Sequence, residues 1–148
     1  LRATLAGSAL AVAAGAGLVT PSRVLAAAWP SKAFDATKAA DAITALYGAA
    51  AAQASDAIKV SAPIQAEDGA SVPVAVSTEM AGIESIAIVV HENARPLATH
   101  VAINGGAGYY RANLKMGKTS KVDFLVKAGG KLYVTTKDIK VTRGGCGG

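Results

Sequence analysis

At 148 residues, the chain has room for one small domain with a modest core, which excludes a multi-domain enzyme. Its one cysteine excludes an internal disulfide. The net charge of +5 is unevenly spread: residues 29–110 carry four Lys and Arg against eight carboxylates, −4, whereas Arg111 onward carries nine against two, +7.

The first 28 residues have the layout of an export signal. An apolar, small-residue run from Leu5 to Val19 is followed by Pro21, Arg23 and Ala26-Ala27-Ala28, an A-x-A cleavage site. Leu1 fits the end of a twin-arginine R-R-x-F-L motif, so a truncated signal of that type over residues 1–28 is expected, with periplasmic delivery. Stable membrane insertion is not expected, because the run is rich in Ala and Gly and stops at Pro21, whereas a span needs roughly 20 strongly apolar residues.

Residues 29–57 are read as a helix and linker. Ala36, Ala39, Ala40, Ile43, Leu46 and Tyr47 build one face of a helix over Ser31–Gly48, with Gly48 as its stop. The alanine-rich stretch after Gly48 either extends the helix or links it onward. From Ile58 the period changes. Strands are predicted at Ile58–Ser61, Val72–Ser77, Ile83–His91, Thr99–Ile103, Tyr109–Met116, Val122–Lys127 and Leu132–Thr142, with turn residues at Asp68-Gly69, Asn93–Pro96, Asn104–Gly108, Gly117 and Gly129-Gly130. Val72, Val74 and Val76, and again Val122, Phe124 and Val126, alternate as on a sheet with one buried face. The unbroken run Ile86–Val90 marks a central strand covered on both sides. Seven short strands predict an antiparallel β-sandwich over residues 58–142.

His91 and His100 sit at adjoining strand ends and invite a metal-pair reading. With no third ligand at useful spacing they fall short of the three or four protein ligands that zinc takes, and no metal site is expected. Tyr109 and Tyr110 are assigned to sheet positions or a partner interface. No G-x-S-x-G, H-E-x-x-H, phosphate loop or C-x-x-C occurs, so no intrinsic catalytic residue is predicted. The basic half suits anionic ligands or acidic partner surfaces, although lysines on strand faces also serve solubility and blunt sheet edges. Nucleic acid is not an expected partner, because aromatic and basic residues do not interleave in a binding motif.

The remaining chemistry gathers at the end of the chain, residues 143–148. Cys146 stands between Gly144-Gly145 and Gly147-Gly148, and glycines on both sides leave a thiol without steric cover. A lone cysteine in an exported protein implies intermolecular pairing, modification or a reactive thiol. Residues 143–148 are therefore read as a flexible arm presenting Cys146 to another protein's cleft, since no neighbour in sequence serves as its base.

The terminal Lys140-Val141-Thr142-Arg143-Gly144-Gly145-Cys146-Gly147-Gly148 resembles the end of the SoxY family, carrier subunits of the periplasmic Sox thiosulfate-oxidising system. The resemblance extends to Phe34-Asp35-Ala36, Val72-Pro73-Val74, Glu84-Ser85-Ile86-Ala87-Ile88, Arg95-Pro96-Leu97-Ala98 and Lys127-Ala128-Gly129-Gly130-Lys131-Leu132-Tyr133. It implies a mainly β, immunoglobulin-like sandwich with no cofactor of its own, paired in a heterodimer with a SoxZ-like β-sandwich subunit. It further implies that Cys146 is the covalent sulfur attachment point. A c-type cytochrome complex would join thiosulfate to it, a hydrolase would release sulfate, and a sulfane dehydrogenase would oxidise the sulfur left behind. Two other readings stay open from the residues: a ubiquitin-like carrier activated at the Gly148 carboxylate, which needs ATP, and a structural domain forming an intermolecular disulfide.

Overall fold

A computed structural model describes residues 28–49 and 51–145; the expected signal, residues 1–28, lies outside them except for Ala28. Two short helices, α1 (Ser31–Asp35) and α2 (Ala39–Tyr47), precede nine strands: β1 (Gln53–Ala54), β2 (Lys59–Ser61), β3 (Gln65–Asp68), β4 (Val72–Thr78), β5 (Ile83–Val90), β6 (Leu97–Ala102), β7 (Gly108–Leu114), β8 (Ser120–Ala128) and β9 (Lys131–Arg143). They form two sheets. The larger has the order β1-β9-β8-β5-β6, with β3 also pairing β9, and the smaller is β2-β4-β7. Among the described residues, no helix is long and apolar enough to cross a membrane.

The alternation seen in sequence decides which side chains meet between the sheets. Val72, Val74 and Val76 from β4 face Ile86, Ile88 and Val90 from β5 and Val122, Phe124 and Val126 from β8. Phe124, Ile86 and Ile88 are fully buried, each worth about 1.5–3 kcal/mol in area removed from water. The other side of β5 presents Ala87 and Val89, which join Leu125 and Leu132 under a pad formed by Ala33 of α1 and Ala42 of α2. This double coverage accounts for the unbroken apolar run in β5. The β8–β9 hairpin turns on Gly129 and Gly130, whose φ of 55° and 74° place both in the left-handed region of a two-residue turn.

Three sequence expectations are corrected. The single helix over Ser31–Gly48 is two, because Ala36 and Lys38 adopt extended backbone and the Lys38 carbonyl accepts the first turn of α2 from the Ala42 N–H. The break folds both segments onto one sheet face, where the small buried side chains of Ala33 and Ala42 permit close approach. Gly48 does end α2, with a φ of 72°. The stretch expected as linker contains β1, which pairs parallel with β9 at Gln53↔Tyr133 and Ala54↔Val134. Between the expected first and second strands lies β3, also parallel to β9.

Candidate functional site

Strand β9 pairs antiparallel with β8 up to Ile139, then runs alongside β3, from Gln65↔Lys140 to Asp68↔Arg143. Residues 143–145 are thereby carried to one end of the sandwich, between the β3–β4 and β7–β8 connections. There the backbone bonds form a continuous set. The Gly69 N–H donates to the Arg143 carbonyl at 2.7 Å, the Met116 N–H to the Gly69 carbonyl at 2.7 Å, and the Gly145 N–H to the Met116 carbonyl at 2.8 Å. Two hydroxyls fasten the strand before it: Val141 donates its N–H to Thr119 Oγ1 at 3.0 Å, and Thr142 Oγ1 donates to the Glu67 carbonyl at 2.9 Å.

The two glycines before the cysteine occupy space that no side chain fits. A Cβ at Gly144 would lie 1.9 Å from the Gly117 carbonyl oxygen, and one at Gly145 would lie 2.4 Å from the Ala70 nitrogen. Gly69, which bonds both Arg143 and Met116, meets the same limit against the Met116 carbonyl at 2.2 Å. Of the expected arm over residues 143–148, the first three residues are part of the folded domain. Arg143 belongs to β9, and Gly144 and Gly145 are packed at the arm's root, with Gly145 hydrogen-bonded there. Cys146, Gly147 and Gly148 lie outside the described residues.

Sequence reasoning missed Asn93, read only as a turn residue. It is 7% exposed, and its side chain bridges to the β7–β8 connection. Nδ2 donates to the Lys115 carbonyl at 2.7 Å, while Oδ1 accepts from the Gly117 N–H at 3.0 Å. The amide thus fastens both neighbours of Met116, the residue that receives Gly145. Ser120 Oγ accepts the adjacent Glu92 N–H at 3.0 Å. On the rim, Lys118 Nζ stands 3.1 Å from Glu92 Oε2. Lys115, Lys118 and Arg143 flank the contact points in sequence, so the root sits in the basic part of the chain.

The two histidines do not come together. His91 Nε2 meets Asp123 Oδ2 at 2.6 Å, and Thr136 donates to the other Asp123 oxygen at 2.6 Å. His100 pairs with Ala87 on the neighbouring strand, four residues back from His91 or about 13 Å along β5. Its ring packs edge-on against Tyr47 at 6.2 Å, and burial lowers its pKa. Burial likewise raises that of the Tyr47 phenol, partly opposed by a 3.1 Å bond to Ser85. Among the described residues, no three His, Cys, Asp or Glu side chains gather as a metal site. Tyr110 bonds Thr99 through its hydroxyl at 2.8 Å. Tyr109 is 58% exposed beside a trough on the outer face of the three-stranded sheet, lined also by Lys59, Ser61, Pro73, Ala75 and Arg111.

The family model described as "Sulfur oxidation protein SoxY" matches residues 43–146. The chain belongs to the SoxY family. The solved structure of the sulfur carrier protein SoxY from Chlorobium limicola f. thiosulfatophilum is 38% identical, with a TM-score of 0.66 over 76% of this chain and 99% of that one. A variant superoxide reductase (neelaredoxin) from Ignicoccus hospitalis is similar at 22% identity and a TM-score of 0.51, covering 66% of this chain and 86% of that one. At that identity the likeness concerns the fold alone, the immunoglobulin-like sandwich. No curated protein sequence matches the chain. This SoxY-family chain therefore joins the family's sandwich to a C-terminal segment whose root is built into one end of the domain.

Proposed function

We propose that this chain is a periplasmic, non-catalytic sulfur carrier that holds thiosulfate-derived intermediates on Cys146 and presents them to successive sulfur-oxidising enzymes. The observation that carries the reading is the Gly144-Gly145-Cys146-Gly147-Gly148 end, fastened at Gly145 to a folded domain of the SoxY family. The domain serves as the docking body. Cys146 follows Gly145 directly in sequence.

The chemistry follows from what a thiol supplies and lacks. In loading, Cys146 gives up its proton and its sulfur bonds the outer sulfur of thiosulfate, forming a cysteine S-thiosulfonate. Two electrons leave, and a c-type cytochrome complex takes them. Hydrolysis then cleaves the bond to the terminal sulfonate group. Water supplies oxygen to the departing sulfate, and a persulfide stays on Cys146. A sulfane dehydrogenase would carry the outer sulfur to a sulfonate, with water as the oxygen source and six electrons withdrawn, and a second hydrolysis would return the thiol. Every substrate and adduct here is anionic, which suits the net +7 of the segment from Arg111 onward.

A covalent tether prevents loss of the intermediate between steps. It also presents the sulfur to a docked enzyme at an effective concentration of about millimolar or above. An ordinary thiol is only a few per cent ionised at neutral pH, so each docked enzyme supplies the base and the electron acceptor. A SoxZ-like β-sandwich subunit completes a heterodimer in this reading. Residues 1–28 form a cleaved signal, of twin-arginine type, that takes the chain to the periplasm.

Electron stoichiometry tests the reading. With thiosulfate and the cytochrome complex, two haem equivalents should be reduced per carrier in a single loading round, after which reduction stops. Haem reduction that continues without a stoichiometric limit, or that is indifferent to the carrier, would contradict it.

A further inference from the structure

The carrier reading leaves open what fixes the point from which the arm departs. The packed root supplies the answer. Met116 is fully buried, and both its backbone groups are engaged at the root: its N–H with Gly69 and its carbonyl with Gly145. Its own position depends on Asn93, whose single side chain bonds the residue before it and the residue after it. A primary amide offers a donor and an acceptor side by side, so it substitutes for a neighbouring strand's peptide group. Asn93 is itself buried, and losing its side chain leaves the Lys115 carbonyl and the Gly117 N–H without this partner.

Resting on the carrier reading, we infer that Asn93 is a positioning residue for sulfur loading: it holds the Lys115–Gly117 segment, which in turn holds Gly145 and fixes where the arm leaves the domain. It touches no reacting atom. With the root closed, the residue before Cys146 is held against Met116; with residues 142–145 released, the last held residue before it would be Val141. The sulfur would then start from a place the domain no longer sets, and a misplacement of about 1 Å alone can cost up to about 100-fold in rate. A small, freely diffusing reagent, which docks nowhere, gains nothing from the root.

The test compares wild type with Asn93→Ala and Asn93→Asp in the full chain. Asn93→Asp keeps an oxygen for Gly117 and loses the donor to Lys115. Three rates are measured: amide hydrogen exchange at Gly145 against that at Val126 in β8, alkylation of Cys146 by iodoacetamide, and thiosulfate loading by the cytochrome complex. Asn93→Ala should speed Gly145 exchange more than about tenfold with Val126 still protected, leave alkylation within about twofold, and lower loading kcat/KM about five- to tenfold. Asn93→Asp should fall between, and it carries the test if the alanine variant does not fold. Unchanged Gly145 exchange would overturn the inference, as would fast exchange with undiminished loading. If wild type itself takes up no thiosulfate, the carrier reading fails, and the exchange rates still decide whether Asn93 holds the root.

Discussion

Cys146→Ser should leave the sandwich folded and reduce thiosulfate-dependent turnover to background. The two effects separate because both hydrophobic clusters are built from residues up to Val141, so the substitution removes no described core contact. Changes outside such features stay within about 0.5 kcal/mol, which for a domain of this size moves Tm by no more than about 2 °C. Turnover has no comparable reserve, since the chain has no second thiol and a serine hydroxyl does not form the S–S bond that loading requires. Parallel thermal melts and sulfate-release assays check the result; retained turnover would remove the carrier mechanism.

Replacing Gly144 and Gly145 with valine should slow loading at least about tenfold while heterodimer formation is unchanged. The cause is shortage of space. A Cβ at either position comes within 2.4 Å of backbone atoms of Gly117 or Ala70, and backbone does not yield as a flexible side chain does. The root therefore leaves its slot, losing the Gly145 hydrogen bond to Met116, about 0.5–1.5 kcal/mol. The cysteine then starts from the wrong place, and misplacement by about 1 Å alone can cost up to about 100-fold in rate. Stopped-flow loading and analytical ultracentrifugation with the partner subunit give the two readouts. Equal loading rates would show that neither the packing nor the flexibility of these glycines matters.

These glycines also show where a sequence reads well and where it does not. Glycine appears both where a chain must bend freely and where two backbones must touch, so Gly144 and Gly145 read as mobile although they are packed. Asn93 was legible as a turn former only, because its partners Lys115 and Gly117 lie 22 and 24 residues away. The other seven strands, β2 and β4 to β9, were legible because burial on one or both faces writes itself into alternation or into a run such as Ile86–Val90. β1 and β3 leave no such trace. They are two and four residues long and mostly exposed, and they exist through pairing with β9. The break between α1 and α2 was equally hidden, since Ala36-Thr37-Lys38 contains no Pro or Gly and the bend is imposed by packing on the sheet. Cys146 is singled out by sequence alone, as one thiol among four glycines.

The central claim is that sulfur is carried covalently on Cys146, and intact mass tests it most directly. The protein is isolated without reductant after exposure to thiosulfate and the cytochrome complex, then fragmented to locate any adduct. The carrier account predicts sulfane, thiosulfonate or sulfonate additions on Cys146, those joined through S–S bonds being removed by a thiol reductant. An unmodified Cys146 with a thiocarboxylate on Gly148, or no modification at either residue, would contradict it.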